Sequence, residues 1–139
     1  MAINVLEQTV RTKDVMVVDD DKSTLFAYQM LFKKYAVTLH GCETLDHALA
    51  LITARSFDAV ITDLRLTGEG SEEGMDILRC LHRLRPETKV ILVTGYGSEQ
   101  VKGKAFALGA SFYFEKPVHP AELFDALRKL QVLENNDQT

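Results

Sequence analysis

No stretch of this 139-residue chain approaches the ~20 consecutive apolar residues of a membrane helix, and its start lacks the basic segment and apolar run of a secretory leader. A cytoplasmic protein without a membrane span is the expectation. Cysteine is scarce. Cys42 and Cys80 stand far apart and form no CxxC pair, which excludes a zinc knuckle or dithiol redox motif and leaves reduced thiols as the simple reading. Positive charge is not in surplus either: 16 Lys and Arg face 20 Asp and Glu, the net charge is −4, and the basic residues are scattered. Direct binding to nucleic acid, which rests on clustered Lys and Arg, is thereby disfavoured. No repeat or linker interrupts the chain, whose length suits one domain of about 100 to 200 residues.

What is present is the composition of a globular protein, 46% hydrophobic and 26% charged, able to bury about two-thirds of its unfolded surface. Apolar runs alternate with helical patterns five times. Residues 15–18 make an uninterrupted apolar run that fits a strand covered on both faces. Residues 22–35 place Leu25, Tyr28, Met30, Leu31 and Phe32 at helical spacing and close on Lys33 and Lys34, suited to the negative end of a helix dipole. A second strand (37–41) and helix (45–54, with Leu45, Ala48, Leu49 and Ile52 on one face) follow, then a third strand (59–62). The next helix, 74–84, is expected to bury Ile77, Leu78, Leu81 and Leu84 before Pro86 stops it. A fourth strand (90–93), a weak helix (101–108), a short strand (112–114) and a final helix from Pro120 complete the series, the last burying Leu123, Phe124, Leu127 and Leu130. This alternation predicts an α/β fold, a doubly wound five-stranded parallel sheet with right-handed crossovers. Residues 13–133 form the domain, with 1–12 an N-terminal extension and 134–139 a polar tail.

In such sheets ligands bind beyond the carboxyl ends of the strands. The strands deliver to that rim Asp19 and Asp20, Asp63, Thr94 and, just past the fifth strand, Lys116 followed by Pro117. Each has an ordinary reading alone: Asp19 to Asp21 as a solvated helix start, Asp63 and Thr94 as turn residues, Lys116 as a loop lysine. One at nearly every strand end, they describe a site. Grouped carboxylates repel one another unless a cation lies between them, and an all-oxygen set suits Mg²⁺. A metal-bound carboxylate can act as a nucleophile. The oxygens of an incoming phosphoryl group would then be neutralised by the metal, the Lys116 ammonium and the Thr94 hydroxyl.

The motifs Val17-Val18-Asp19-Asp20, Thr62-Asp63-Leu64, Val93-Thr94-Gly95 and Lys116-Pro117 resemble those of the receiver domain of two-component response regulators, over about residues 13 to 133. The resemblance implies a flavodoxin-like (βα)5 fold with strand order 2-1-3-4-5. It implies a signalling phosphoacceptor that catalyses only its own phosphorylation and dephosphorylation. Asp63 is then the phosphoacceptor, Asp20 a direct Mg²⁺ ligand, Asp19 an acid acting mainly through water, and the Arg65 backbone carbonyl a further ligand. Thr94 and Lys116 bind the phosphoryl group, the Lys116-Pro117 bond is cis, and Tyr113 is the switch aromatic that turns inward as Thr94 moves toward the phosphate. Arg65 and Tyr96 flank the path of the hydrolytic water, and their size implies a long-lived phosphoryl group. The implied donor is the phosphohistidine of a histidine kinase or histidine phosphotransfer protein. The implied output is a downstream protein target or a homodimer, engaged through the face of helix 4, strand 5 and helix 5.

The chain departs from the family pattern after Asp63. Thr67 stands where a proline is usual, and Gly74 follows the acceptor by eleven residues instead of about eight. The extra residues, 68–73, carry three acids and two glycines beside the pocket. Gly103, in the middle of the fourth helix, costs about 1 kcal/mol relative to Ala and suits a surface that rearranges. The alternative reading is a haloacid-dehalogenase-type phosphatase with Asp19 as nucleophile, but it gives Asp63 no role and lacks an acid pair after the lysine. A nucleotide loop at Gly95-Tyr96-Gly97 fails at Gln100, which replaces the third glycine. His40, His47, His82 and His119 have no metal-ligand spacing and read as surface residues. Because the sequence ends soon after the last helix, a stand-alone receiver that acts by protein contact is the expectation.

Overall fold

The structure, a computed structural model, describes residues 12–67 and 71–134. Five strands alternate with five helices: β1 Lys13–Val18, α1 Lys22–Leu31, β2 Val37–Cys42, α2 Leu45–Ala54, β3 Ala59–Asp63, α3 Glu73–Leu84, β4 Lys89–Thr94, α4 Glu99–Ala107, β5 Phe112–Glu115 and α5 Pro120–Lys129. The strands form one parallel sheet in the order β2-β1-β3-β4-β5, as expected. Residues 1–11 and 135–139 of the expected extension and tail, and 68–70 of the acidic segment, lie outside the described residues.

The period-2 geometry of strands splits the core in two. Met16, Val18, Val60 and Leu92 face Ala48 and Ile52 of α2, Ile77, Leu78 and Leu81 of α3, and Ala105 of α4. Val15, Val17, Ile61, Ile91 and Val93 face Tyr28 of α1 and Leu123 and Leu127 of α5. Every residue of β3 is buried, which is why it reads as a run without alternation. Side chains cap most of the helices: Asp21 accepts from the Ser23 N–H, Thr44 from His47 and Ser98 from Val101. His119 accepts from Ala121 in front of Pro120, at the start of α5. Among the described residues no helix is long and apolar enough to cross a membrane.

Two expectations need correction. The first helix ends at Leu31, not Tyr35, so Lys33 and Lys34 lie beyond it and no basic residue occupies its last turn. Phe32 continues the apolar pattern because it is buried against Phe124 and Tyr35 in a turn, while Met30, at helical spacing with the others, is half exposed. Leu84, expected to be buried, is the last residue of α3 and is 43% exposed. Arg85 closes that end instead, donating from Nε to the Ile52 carbonyl and from a terminal nitrogen to that of Thr53.

Candidate functional site

Parallel pairing brings the ends of β1, β3 and β4 level: Val18 lies opposite Thr62, and Asp63 opposite Val93. The chain therefore leaves the sheet at neighbouring points, each carrying a polar residue. Carboxylate oxygens of Asp19, Asp20 and Asp63 lie within 4.8 Å of one another. Asp19 and Asp63 are buried, and Asp20 is open to solvent. The Lys116 ammonium donates to Asp63 Oδ2 at 2.8 Å and to Asp19 Oδ2 at 3.0 Å. Asp19 Oδ1 accepts from the Asp21 N–H at 2.9 Å.

The charges do not balance. At an effective dielectric of ~20, two carboxylates at such separations repel by about 3 to 4 kcal/mol. Lys116 faces two of the three and leaves an excess of negative charge. Partial desolvation on its pocket side, then the nearby Asp19 and Asp63 charges, push the otherwise exposed Asp20 carboxyl above its usual range. For Lys116 burial alone pulls the ammonium down, but the hydrogen bonds to Asp63 and Asp19 prevail and hold it well above the ordinary lysine range. An oxygen-only donor set with surplus negative charge and one solvent-facing carboxylate fits a hard divalent cation that keeps some of its waters.

Thr94 is fully buried. Its hydroxyl accepts from the Tyr96 N–H at 3.0 Å, and its carbonyl accepts from the Lys116 N–H at 2.8 Å, tying the lysine loop to β4. The Lys116-Pro117 bond is cis, as expected. Tyr113, on β5 beside Leu92, packs against the α2–α4 side of the core. Its hydroxyl is buried without a hydrogen-bond partner among the described residues. It occupies the place that a Cβ at Gly97 would need, so the missing side chain of Gly97 makes room for the tyrosine.

Three features were not anticipated. Arg65 and Tyr96, foreseen as separate flanking residues, form one unit: the guanidinium carbon lies 3.8 Å from the ring centroid. Gly74 closes the loop, its N–H donating to the Leu64 carbonyl at 2.8 Å, and a Cβ there would collide with the Asp63 carbonyl. Glu72, at the end of the acidic segment, reaches Lys104 of α4 at 3.1 Å. The glycine was readable as a glycine, but its contact depends on how α3 docks. Among the described residues the group of possible metal ligands is Asp19, Asp20 and Asp63; His40 bonds to Asp14, and His119 caps α5.

Residues 15–128 match the response regulator receiver domain family. The chain is 28% identical to the photosynthetic apparatus regulatory protein RegA of Rhodobacter capsulatus, over 83% of this chain and 61% of RegA. It thus spans about three-fifths of that relative. Among solved structures, a CheY-like receiver domain protein from Methanospirillum hungatei superposes with a TM-score of 0.79 at 30% identity, covering 86% of this chain and 94% of the other. A Burkholderia pseudomallei response regulator, solved with a phosphorylated aspartic acid, a calcium ion and citrate, gives 0.74 at 25% identity, covering 91% of this chain and 69% of that one.

Proposed function

The chain belongs to the response regulator receiver family, a phosphoacceptor signalling module of two-component systems, and on that premise we propose that Asp63 takes a phosphoryl group from a phosphohistidine of a histidine kinase or histidine phosphotransfer protein. The observation that carries this is the Lys116 ammonium bridging Asp63 and Asp19 beside Asp20. A carboxylate oxygen of Asp63 attacks phosphorus, the P–N bond breaks, and the imidazole leaves with the electron pair and a proton from solvent. Lys116 moves its hydrogen bond from Asp63 to a phosphoryl oxygen, and the Thr94 hydroxyl donates to another. Asp20, Asp63 and the Arg65 carbonyl would hold Mg²⁺ directly, with Asp19 acting through water. That ion supplies charge neutralisation at the acceptor and the phosphoryl oxygens.

Thr94 and Tyr113 form the proposed switch. Both face the α4 side, where Ala105 is buried but Val101 and Leu108 are only partly covered and Phe106 is 44% exposed. This thin packing favours an output face made of α4, β5 and α5, for a downstream target or a second copy. Arg65 and Tyr96 lengthen the life of the phosphoryl group by screening Asp63 from water. We read residues 13–133 as a receiver domain that acts in the cytoplasm.

Labelling tests the acceptor. A small phosphodonor such as acetyl phosphate, with Mg²⁺, should label the wild type at Asp63 and not Asp63→Asn. Loss of label only in Asp19→Asn would instead favour the phosphatase mechanism.

A further inference from the structure

We propose that Arg65 positions the Thr94 hydroxyl, acting through the ring of Tyr96. This rests on the reading of Asp63 as phosphoacceptor and deepens it, because it concerns how the phosphoryl-binding hydroxyl is held. Asp63 ends β3 opposite Val93, the residue before Thr94. Two residues beyond Asp63 comes Arg65, and two beyond Thr94 comes Tyr96. Their side chains meet with the guanidinium carbon 3.8 Å from the ring centroid. The Tyr96 N–H donates to Thr94 Oγ1 at 3.0 Å, and the Arg65 N–H points at Asp63 Oδ1 from 3.4 Å. Acceptor, arginine, tyrosine and hydroxyl form a circuit closed by the Asp63–Val93 pairing, in which the Arg65–Tyr96 stack joins the loops that follow β3 and β4.

A threonine hydroxyl has one proton and two lone pairs. When one lone pair takes the Tyr96 N–H, the directions open to the proton narrow. The position of that N–H depends on the β4–α4 loop, and Tyr96 is 55% exposed, with the guanidinium holding its ring. Removing the stack lets the loop relax and the hydroxyl turn from the orientation in which it can donate to the phosphoryl group. Screening by bulk acts differently: it slows hydrolysis whether or not Thr94 carries a hydroxyl.

The test is a double-mutant cycle on the rate of Asp63 labelling by acetyl phosphate in Mg²⁺. Arg65→Ala and Tyr96→Leu should each slow labelling about fivefold, the scale of an exposed cation–π contact. Tyr96→Phe should stay close to wild type, and Arg65→Lys should recover most of the rate. Arg65→Ala added to Thr94→Val should slow labelling no further than Thr94→Val alone. A full Arg65→Ala effect in the Thr94→Val background, or a wild-type rate in Tyr96→Leu, overturns the proposal. The Thr94 methyl resonance of the unphosphorylated protein gives an independent reading: it should move in Arg65→Ala and return in Arg65→Lys, and an unmoved resonance counts against the circuit. Label persisting in Asp63→Asn overturns the acceptor reading instead, while the resonance still decides the circuit.

Discussion

Lys116 reaches Asp63 across 53 residues of chain to place its ammonium 2.8 Å from the acceptor oxygen. The same ammonium lies 3.0 Å from Asp19, so one cation serves two buried acids. Replacing it strands both. Lys116→Met should cut labelling of Asp63 about 100-fold or more, the usual loss when one charge-stabilising donor is removed from a transition state. A loss of less than threefold, measured as a labelling rate, would show that Lys116 serves the fold and not the transfer.

The uncompensated negative charge predicts stabilisation by divalent cations. Mg²⁺ at 100 times its dissociation constant should raise stability by about 2.7 kcal/mol, read as a shift in melting temperature that chelation reverses. Asp20→Asn should melt higher than the wild type without Mg²⁺ and lose most of the shift with it, because its carboxylate is repelled by its neighbours when no cation is bound. A wild-type melting curve indifferent to Mg²⁺ would remove the metal from the account.

Gly74→Ala sets a methyl against the Asp63 carbonyl and the Leu64 Cα, backbone atoms with little room to give way. The cost should be about 1 to 3 kcal/mol, as for other over-packed sites, and labelling should slow as the acceptor loop shifts. Urea denaturation measures the first and labelling the second. Wild-type values in both would mean that α3 can retreat freely.

Asp14 offers a pH dependence remote from the pocket. Burial alone would raise its carboxyl, but the hydrogen bond from His40 and the adjacent Arg55 charge outweigh it and hold it below the usual range. A depressed acid stabilises the fold above its unfolded pKa, and the gain is lost as pH falls through the folded value. Asp14→Asn should therefore be less stable than wild type near neutrality, by about 1 kcal/mol or less for such part-exposed pairs. The difference should close progressively below about pH 4. A gap that stays constant down to pH 2 in chemical denaturation would rule out this origin.

Strand ends were legible because buried parallel strands are written as apolar runs, and the first polar residue after each run marks the rim. Asp19 and Thr94 follow their runs directly, while Asp20, Asp63 and Lys116 lie one residue further on, behind Asp19, Thr62 and Glu115. The end of α1 was misjudged because Phe32 keeps the helical period while packing from a turn. Leu84 differs from the expectation because periodicity says which side of a helix faces inward, not how well its last residue is covered. The Arg65–Tyr96 stack joins loops from different strands and the Glu72–Lys104 pair joins a loop to α4, so both depend on register and docking, which local patterns do not encode.

The division of the core into two halves carries a practical consequence. Tyr113 lies in the half built on α2, α3 and α4, and Thr94 continues the alternation of Val90 and Leu92 toward the same half. The half built on α1 and α5 holds neither residue of the proposed switch. A spectroscopic reporter at exposed Phe106 on α4 should register phosphorylation, while one at exposed Phe26 on α1 should stay silent and serve as its internal reference.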